Sequence, residues 1–344
     1  MARQSVTMLE IAERAGVSRS TVSLAMQGSG LIRSETRRHV AEAARALGYV
    51  YNRSAANLRK AHSNIVGMVI NDLTNPFFAE LAVGCERVLQ SAGQMSFIAN
   101  TAESPVRQAE VIRLMQEQGI AGLIVCPARG TAPDAFKSLL ASGIPVIQAM
   151  RQIEGSRASV VVPDNRRGAA LAVSHLVSLG HRRIAFAGGF GETSVHADRL
   201  AGYRGGLEVA GIAFDPGLVF RGPPTRDYGA ASTAEIIGGG DPATALLTFN
   251  DAVALGVCNG LRRFGREAGR DFAVVGFDDV SEAAHAVPSL TTIAVDPQGL
   301  GERAAQMILR KVGEERPNPE EYIGAARLII RESCGARARG TSKP

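Results

Sequence analysis

Between residues 65 and 279 the chain carries seven short apolar runs: "IVGMVI", "MSFIAN", "AGLIVC", "IPVIQAM", "RRIAFAGG", "TALLTFN" and "FAVVGFDD". Each is followed by a longer stretch with helical periodicity. A strand that is apolar on both faces must be covered on both faces, which calls for parallel sheets sandwiched between helices. Seven strands are too many for one small sheet, so residues 64–335 are expected to form two doubly wound subdomains, with the chain passing between them near residues 163 and 292. Ligands in such sheets bind beyond the carboxyl ends of the strands. That rule points to Asp72, Phe77, Phe78, Arg151, Asp164, Asn250 with Asp251, and Asp278 with Asp279.

Ahead of this body the pattern is different. Thr7-Met8-Leu9-Glu10 fits a capping box, in which hydroxyl and carboxylate satisfy the first free N–H groups of a helix. That helix would run to about Ala15 and stop at Gly16. Ser18 can cap a second helix from Arg19 to about Met26. Ser34 can cap a third, "ETRRHVAEAARAL", which stacks Val40, Ala44 and Leu47 on one face and stops at Gly48. Residues 1–50 thus read as a three-helix module too small to bury much surface alone. Residues 51–63 read as a polar, basic linker with a latent helical turn, and residues 336–344 as a disordered basic tail.

Charge separates the two parts. Of the formal net charge of +5, residues 1–60 hold ten basic and four acidic side chains, a net of +6; the remaining 284 residues hold 28 and 29, a net of −1. A small basic module on a neutral body suits a polyanionic partner. No apolar run is long enough to span a membrane and no hydrophobic signal core opens the chain, so a cytoplasmic protein is expected. Cys85, Cys126, Cys258 and Cys334 lie far apart with no Cys-x-x-Cys pair and no His at ligand spacing, which favours reduced thiols and no metal. "GGFG" at residues 188–191 is neither a dinucleotide fingerprint nor a phosphate loop. Neither Gly-x-Ser-x-Gly nor His-Glu-x-x-His occurs, so neither an enzyme nor a cofactor is expected.

The stretch "EIAERAGVSRSTVSLAMQG" meets the demands of a helix-turn-helix: Ala12 inside the first helix, Gly16 at the turn, Val17 after it and Val22 inside the second. In that geometry the start of the second helix enters the DNA major groove. Arg19 can fork onto a guanine, Ser20, Thr21 and Ser23 can meet phosphates or base edges, and Leu24 can touch a thymine methyl. Thr7, Ser18, Ser34 and Tyr49 complete the candidates in the head.

These residues, with "SETRRHVAEAARALGYVYNRSAANLR", "IVGMVINDLTNPFFAEL", "PDNRRGAALAVSHLVSLGHRRIAFAGG", "TFNDAVALGV", "VVGFDD" and "ARLIIRES", resemble the LacI/GalR family of bacterial transcription regulators over nearly the whole chain. The segments "STVSLAMQGSGLIR" and "VINDLTNPFFAEL" look nearest a maltose-regulon-repressor-like branch. The resemblance implies a homodimer on a near-palindromic DNA operator and a body like type I periplasmic binding proteins, with three crossovers and a small-molecule effector in the cleft. It implies a hinge helix that orders on DNA and wedges Leu58 into the minor groove, with Asn52, Ala55 and Ala56 ahead of it. It assigns Phe77 and Phe78 to the effector wall, Arg199 to the cleft arginine, Asn250 to a polar contact and Asp278 to an effector carboxylate. Each has a structural alternative: Asn250 can cap a helix, Asp278 can hold a turn, and Arg199 can form an internal salt bridge.

Two departures from the family pattern matter. Many sugar-responsive members carry Asp near "PVIQAMR", where this chain has Met150-Arg151. Arginine is an obligate donor suited to carboxylate or phosphate, so an effector that bears an anionic group, or is otherwise not a plain neutral hexose, is expected. Tyr51 stands where the family often has proline, which implies a less rigid hinge entry. After "LIIRESCG" only "ARARGTSKP" follows, too short for a tetramerising coiled coil, so a dimer is expected. The contrasting class is a solute-binding protein of sugar transport, which shares the body's fold but not the basic head.

Overall fold

The computed structural model describes residues 6–26, 29–49, 63–238, 242–314 and 318–336. It falls into two compact units that divide between Ser63 and Asn64.

The first unit holds helices α1 (Met8–Ala15), α2 (Arg19–Met26) and α3 (Ser34–Ala46). The capping box at α1 is complete: the Thr7 hydroxyl accepts from the Glu10 backbone N–H and the Glu10 carboxylate accepts from the Thr7 backbone N–H at 2.6 Å. Gly16 ends α1 in the left-handed conformation (φ 61°), and Val17 N–H closes back on the Ala12 carbonyl at 3.0 Å. A side chain at Gly16 would be strained there, which is why a two-residue turn into α2 needs glycine. The Ser18 hydroxyl caps α2 by accepting from Thr21 N–H at 3.1 Å. At α3 the cap differs from expectation. Ser34 is already helical, the Arg33 carbonyl accepts the first helical bond from Arg37 N–H, and no side chain caps the end. Small apolar residues, Ile11, Ala12, Ala15, Val22, Ala25, Val40, Ala43 and Ala44, pack the three helices together.

In the second unit, strands β1 (Ile65–Ile70), β2 (Met95–Asn100), β3 (Gly122–Val125), β4 (Val146–Ala149) and β5 (Ser159–Pro163) form one sheet with β11 (Glu321–Gly324), in the order β11-β5-β4-β3-β1-β2, all parallel. Strands β6 (Ile184–Ala187), β7 (Val219–Phe220), β8 (Ala245–Thr248), β9 (Ala273–Asp278), β10 (Thr291–Ala294) and β12 (Arg327–Ile329) form the other, in the order β12-β10-β9-β8-β6-β7. Among the described strand pairs only β10–β12 is antiparallel. The chain crosses between sheets three times: after β5, after β10, and between β11 and β12. The second crossing falls beyond Ala294, slightly later than residue 292, because β10 keeps its register with β9 through Asp278.

Helices α4 (Pro76–Ser91), α5 (Pro105–Glu117) and α6 (Lys137–Ala141) belong with the first sheet, and α7 (Asn165–Ser178), α8 (Ser194–Val209), α9 (Arg226–Ile237), α10 (Asp251–Arg263) and α11 (Ser281–His285) with the second. After the second crossing, α12 (Pro297–Lys311) returns to lie against α4. The approach is close because both helices present glycine: a Cβ at Gly84 would fall on the Gln298 carbonyl oxygen, and one at Gly301 on that of Leu81. The central strands β3, β4, β6, β8 and β9 are wholly buried, as double-sided cover requires. By contrast β2, at the edge of its sheet, leaves Met95, Phe97 and Ile98 exposed, so that "MSFIAN" is not covered on both faces as expected.

Candidate functional site

In the first unit, the N-terminal half of α2 carries the candidate reading edge. Ser18, Arg19 and Ser20 are exposed, while Thr21, Ser23 and Leu24 are half-buried. Val22 and Ala25 alternate with them on the opposite face and fill the core. The Ser18 hydroxyl lies 2.7 Å from the Ser20 hydroxyl and 2.8 Å from that of Thr21, which gathers three hydroxyls at one helix start. Thr7 and Ser34 are exposed and Tyr49 is half-buried. Asn52, Ala55 and Leu58 lie outside the described residues, as does Tyr51.

In the second unit, a cavity of about 260 Å³ opens beyond the carboxyl ends of both sheets. One wall comes from the first subdomain: Asn71 and Asp72 after β1, Phe77 and Phe78 on α4, Glu103 after β2, and Met150 with Arg151 after β4. The other comes from the second: Phe190 after β6, Val195 and Arg199 on α8, Phe249 and Asn250 after β8, and Asp278 at the end of β9. Of the eight expected effector residues the structure brings together seven. Asp164 is the exception. Its carboxylate caps α7 by accepting from Arg167 N–H at 3.0 Å, and it does not line the cavity. The following residue, Asn165, turns inward instead and accepts from Arg199 Nε at 2.9 Å.

Arg199 is 4% exposed, and each of its three nitrogens makes a hydrogen bond within the protein. Besides Asn165 it donates to the Phe249 carbonyl and, at 3.3 Å, to Asp278 Oδ1, and its guanidinium stacks 3.6 Å above the centre of the Phe277 ring. The internal salt bridge and the cleft position are therefore both real. Burial pushes the Asp278 carboxyl up to about 6, with Arg199 pulling against it. Asp251, wholly buried beneath, accepts from Val280 N–H and from the Thr292 hydroxyl, and burial together with the neighbouring Asp278 raises its carboxyl well above the ordinary range. It holds the turn through Asp278 and Asp279, whose φ angles of 119° and 60° are unusual for side-chain-bearing residues. Asn250 likewise has both roles. It caps α10 through Val253 N–H at 3.0 Å, donates to the Pro224 carbonyl at 3.2 Å, and faces the cavity.

Arg151 corrects an expectation. It is not an open cation: its two terminal nitrogens donate to the two oxygens of Glu103 at 2.8 and 2.7 Å, and one also donates to the Pro127 carbonyl at 3.0 Å. Burial alone would raise the Glu103 carboxyl, but Arg151, with Asn71 and the Arg129 backbone, outweighs it and holds the group below its ordinary value. Glu103 lies three residues past the end of β2, where the strand-end rule would have found it had it been applied to "MSFIAN". Asn71, Phe190 and Phe249 were missed in the same way, each one to three residues beyond a strand. Two contacts join the lobes: Arg129 sits 4.5 Å from the Phe190 ring centre, and Gln152 N–H donates to the Ser194 hydroxyl at 3.0 Å.

A helix-turn-helix unit followed by a two-lobed body with a polar, aromatic-walled cleft defines a DNA-binding transcriptional regulator under the control of a small molecule. Residues 7–52 match the model of the lacI family of bacterial regulatory proteins, and residues 173–334 that of a periplasmic binding protein-like domain. The chain is 30% identical over 335 residues, 95% of its length and 98% of the relative's, to the maltose regulon regulatory protein MalI of Escherichia coli (strain K12). It is also 30% identical to the transcriptional regulator CelR of Thermobifida fusca, covering 96% of this chain and 99% of that one. The chain belongs to the LacI family. Among solved structures it resembles a CelR–cellobiose complex (TM-score 0.70, 28% identity, 95% and 99% of the two chains). It shares its fold with the lac repressor dimer bound to operator and an anti-inducer (TM-score 0.85, 24% identity, 97% and 100%). Among the described residues no helix is long and apolar enough to cross a membrane.

Proposed function

We propose that this chain is a cytoplasmic repressor that acts by binding rather than turnover, gripping a near-palindromic operator as a homodimer and changing its grip when a sugar or sugar derivative occupies the cleft. The observation that carries the reading is the joint presence of an exposed Arg19–Ser20 helix start on a basic head and a cavity lined from both lobes of the body. Arg19, Ser20, Thr21, Ser23 and Leu24 would read the major groove, with Thr7, Ser18, Ser34 and Tyr49 on the phosphates. Asn52, Ala55 and Leu58 would form the minor-groove hinge. In the cleft, Asp72, Arg199, Asn250 and Asp278 would meet ligand hydroxyls while Phe77 and Phe78 cover its apolar face. The structural likeness to a cellobiose-bound regulator supports a sugar as the effector class.

The test begins with selection of bound duplexes from a random pool, followed by fluorescence anisotropy on the selected sequence. Two inverted half-sites and a steep linear fall of log affinity with log salt are expected. A pool without sequence enrichment would refute operator recognition, and an operator affinity that no sugar alters would refute the effector reading.

A further inference from the structure

Glu103 stands at the centre of a hydrogen-bond network in the wall of the cleft. Its carboxylate is satisfied on all sides: one oxygen accepts from Asn71 Nδ2 at 2.8 Å and Arg151 Nη2 at 2.7 Å, the other from Arg151 Nη1 at 2.8 Å and Arg129 N–H at 3.0 Å. The backbone is bent to make this possible. Ala102 and Glu103 have φ angles of 49° and 61°, and Met150, just before Arg151, has 67°. We infer that Glu103 makes this cleft a site for an uncharged, polyhydroxylated ligand of about one sugar ring and excludes the anionic counterparts of that ligand. The inference rests on the part of the proposed function that reads the cleft as the small-molecule site, whether or not occupancy alters operator binding.

Three observations converge. The first is the charge around the cavity: the cations Arg151 and Arg199 face the carboxylates of Asp72, Glu103 and Asp278. Both guanidiniums are already paired, so an entering carboxylate or phosphate would have to break a buried ion pair while facing Asp72. A neutral hydroxyl can instead insert beside the pairs, donating to one member and accepting from the other.

The second is Asn71, which is 2% exposed. Its amide nitrogen is committed to Glu103, and its Oδ1 is a buried acceptor with no donor among the described residues. Such an acceptor calls for a hydroxyl or amine on the ligand, not for another oxygen anion. The third is size and lining. About 260 Å³ lies below the roughly 300–1,000 Å³ of pockets for drug-sized ligands, and Phe77, Phe78, Phe190 and Phe249 offer rings to the C–H faces of a single sugar.

Calorimetry on the full chain with the common neutral pentoses and hexoses, glucuronate, galacturonate, glucose 6-phosphate, maltose and cellobiose tests the inference. Binding of at least one neutral monosaccharide is expected, at least tenfold tighter than any uronate, phosphate or disaccharide in the set. Glu103→Gln leaves Arg151 uncompensated and should cut that preference over the anions at least tenfold. The double variant Glu103→Gln/Arg151→Met removes both charges and should restore it, which gives an independent reading if the single variant folds poorly. Tighter binding of an anion or a disaccharide by the wild type, no binding of any neutral monosaccharide, or an unchanged neutral-to-anion ratio in Glu103→Gln would each overturn the inference. A neutral sugar that binds without altering operator affinity would refute the effector reading and leave this one standing.

Discussion

Asp278 Oδ1 lies 3.3 Å from Arg199 Nη2, with both side chains at least nine-tenths buried at the floor of the cleft. One guanidinium thereby anchors the second lobe's strand end, its α8 helix and, through Asn165, the start of α7. Burial costs both ions their hydration, and only the completeness of the hydrogen bonding makes the arrangement tenable.

Replacing Arg199 by alanine leaves a buried carboxylate and two acceptors without a donor. A loss of about 3–5 kcal/mol of stability is expected, measured by urea denaturation of the full chain. Lysine cannot reproduce the three-way fork, so Arg199→Lys should recover only part of it.

The carboxyl of Asp278, near 6 in the fold against 3.8 ordinarily, fixes a pH dependence. The folded chain holds this proton more tightly than the unfolded chain does. Stability from this group is therefore complete below about pH 4 and is lost as pH rises to about 6. Asp278→Asn has no such proton to release. Relative to the variant, the wild type should lose stability between pH 4.5 and 6.5 in paired urea titrations; a constant difference across that interval would contradict the assignment.

The α4–α12 contact has no room for a methyl group at Gly84, where a Cβ meets backbone rather than a movable side chain. Gly84→Ala should cost at least about 1–3 kcal/mol. Gly205, on α8, has open space around the same position, and Gly205→Ala should stabilise by about 0.4–1 kcal/mol. The two thermal shifts should have opposite signs.

On the reading helix, Arg19→Ala should weaken binding to the selected operator by about 1–3 kcal/mol and relax the preference at one base pair, as read by anisotropy on single-substituted duplexes. Equal loss on every sequence would instead mark Arg19 as a phosphate contact.

Arg129 approaches Phe190 at 4.5 Å and Glu192 at 3.9 Å, the latter an exposed pair. Removing its side chain leaves the backbone bond to Glu103 in place. Arg129→Ala should weaken effector binding by roughly 0.5–1 kcal/mol, chiefly through faster release, as read by stopped-flow dissociation.

The chain's local rules were legible without a structure. Gly16 and Gly48, the Thr7–Glu10 box and Ser18 fix the head because their effects act within one helical turn. The double-sided apolar runs announce parallel sheets for the same local reason, and the strand-end rule placed Asp72, Arg151, Arg199's partner Asp278 and Asn250 around one cavity. What the linear pattern does not carry is pairing between distant segments. Arg151 looked like a free cation because Glu103, 48 residues away, is brought to it only by β2 and β4 lying in one sheet. Asp164 and Asn165 are neighbours, yet helix geometry turns one to the cap and the other to Arg199. Caps, turns and strand type follow from nearest neighbours; the charge of the cleft is a sum over side chains that only the tertiary fold assembles, and it can reverse what any one of them suggests alone.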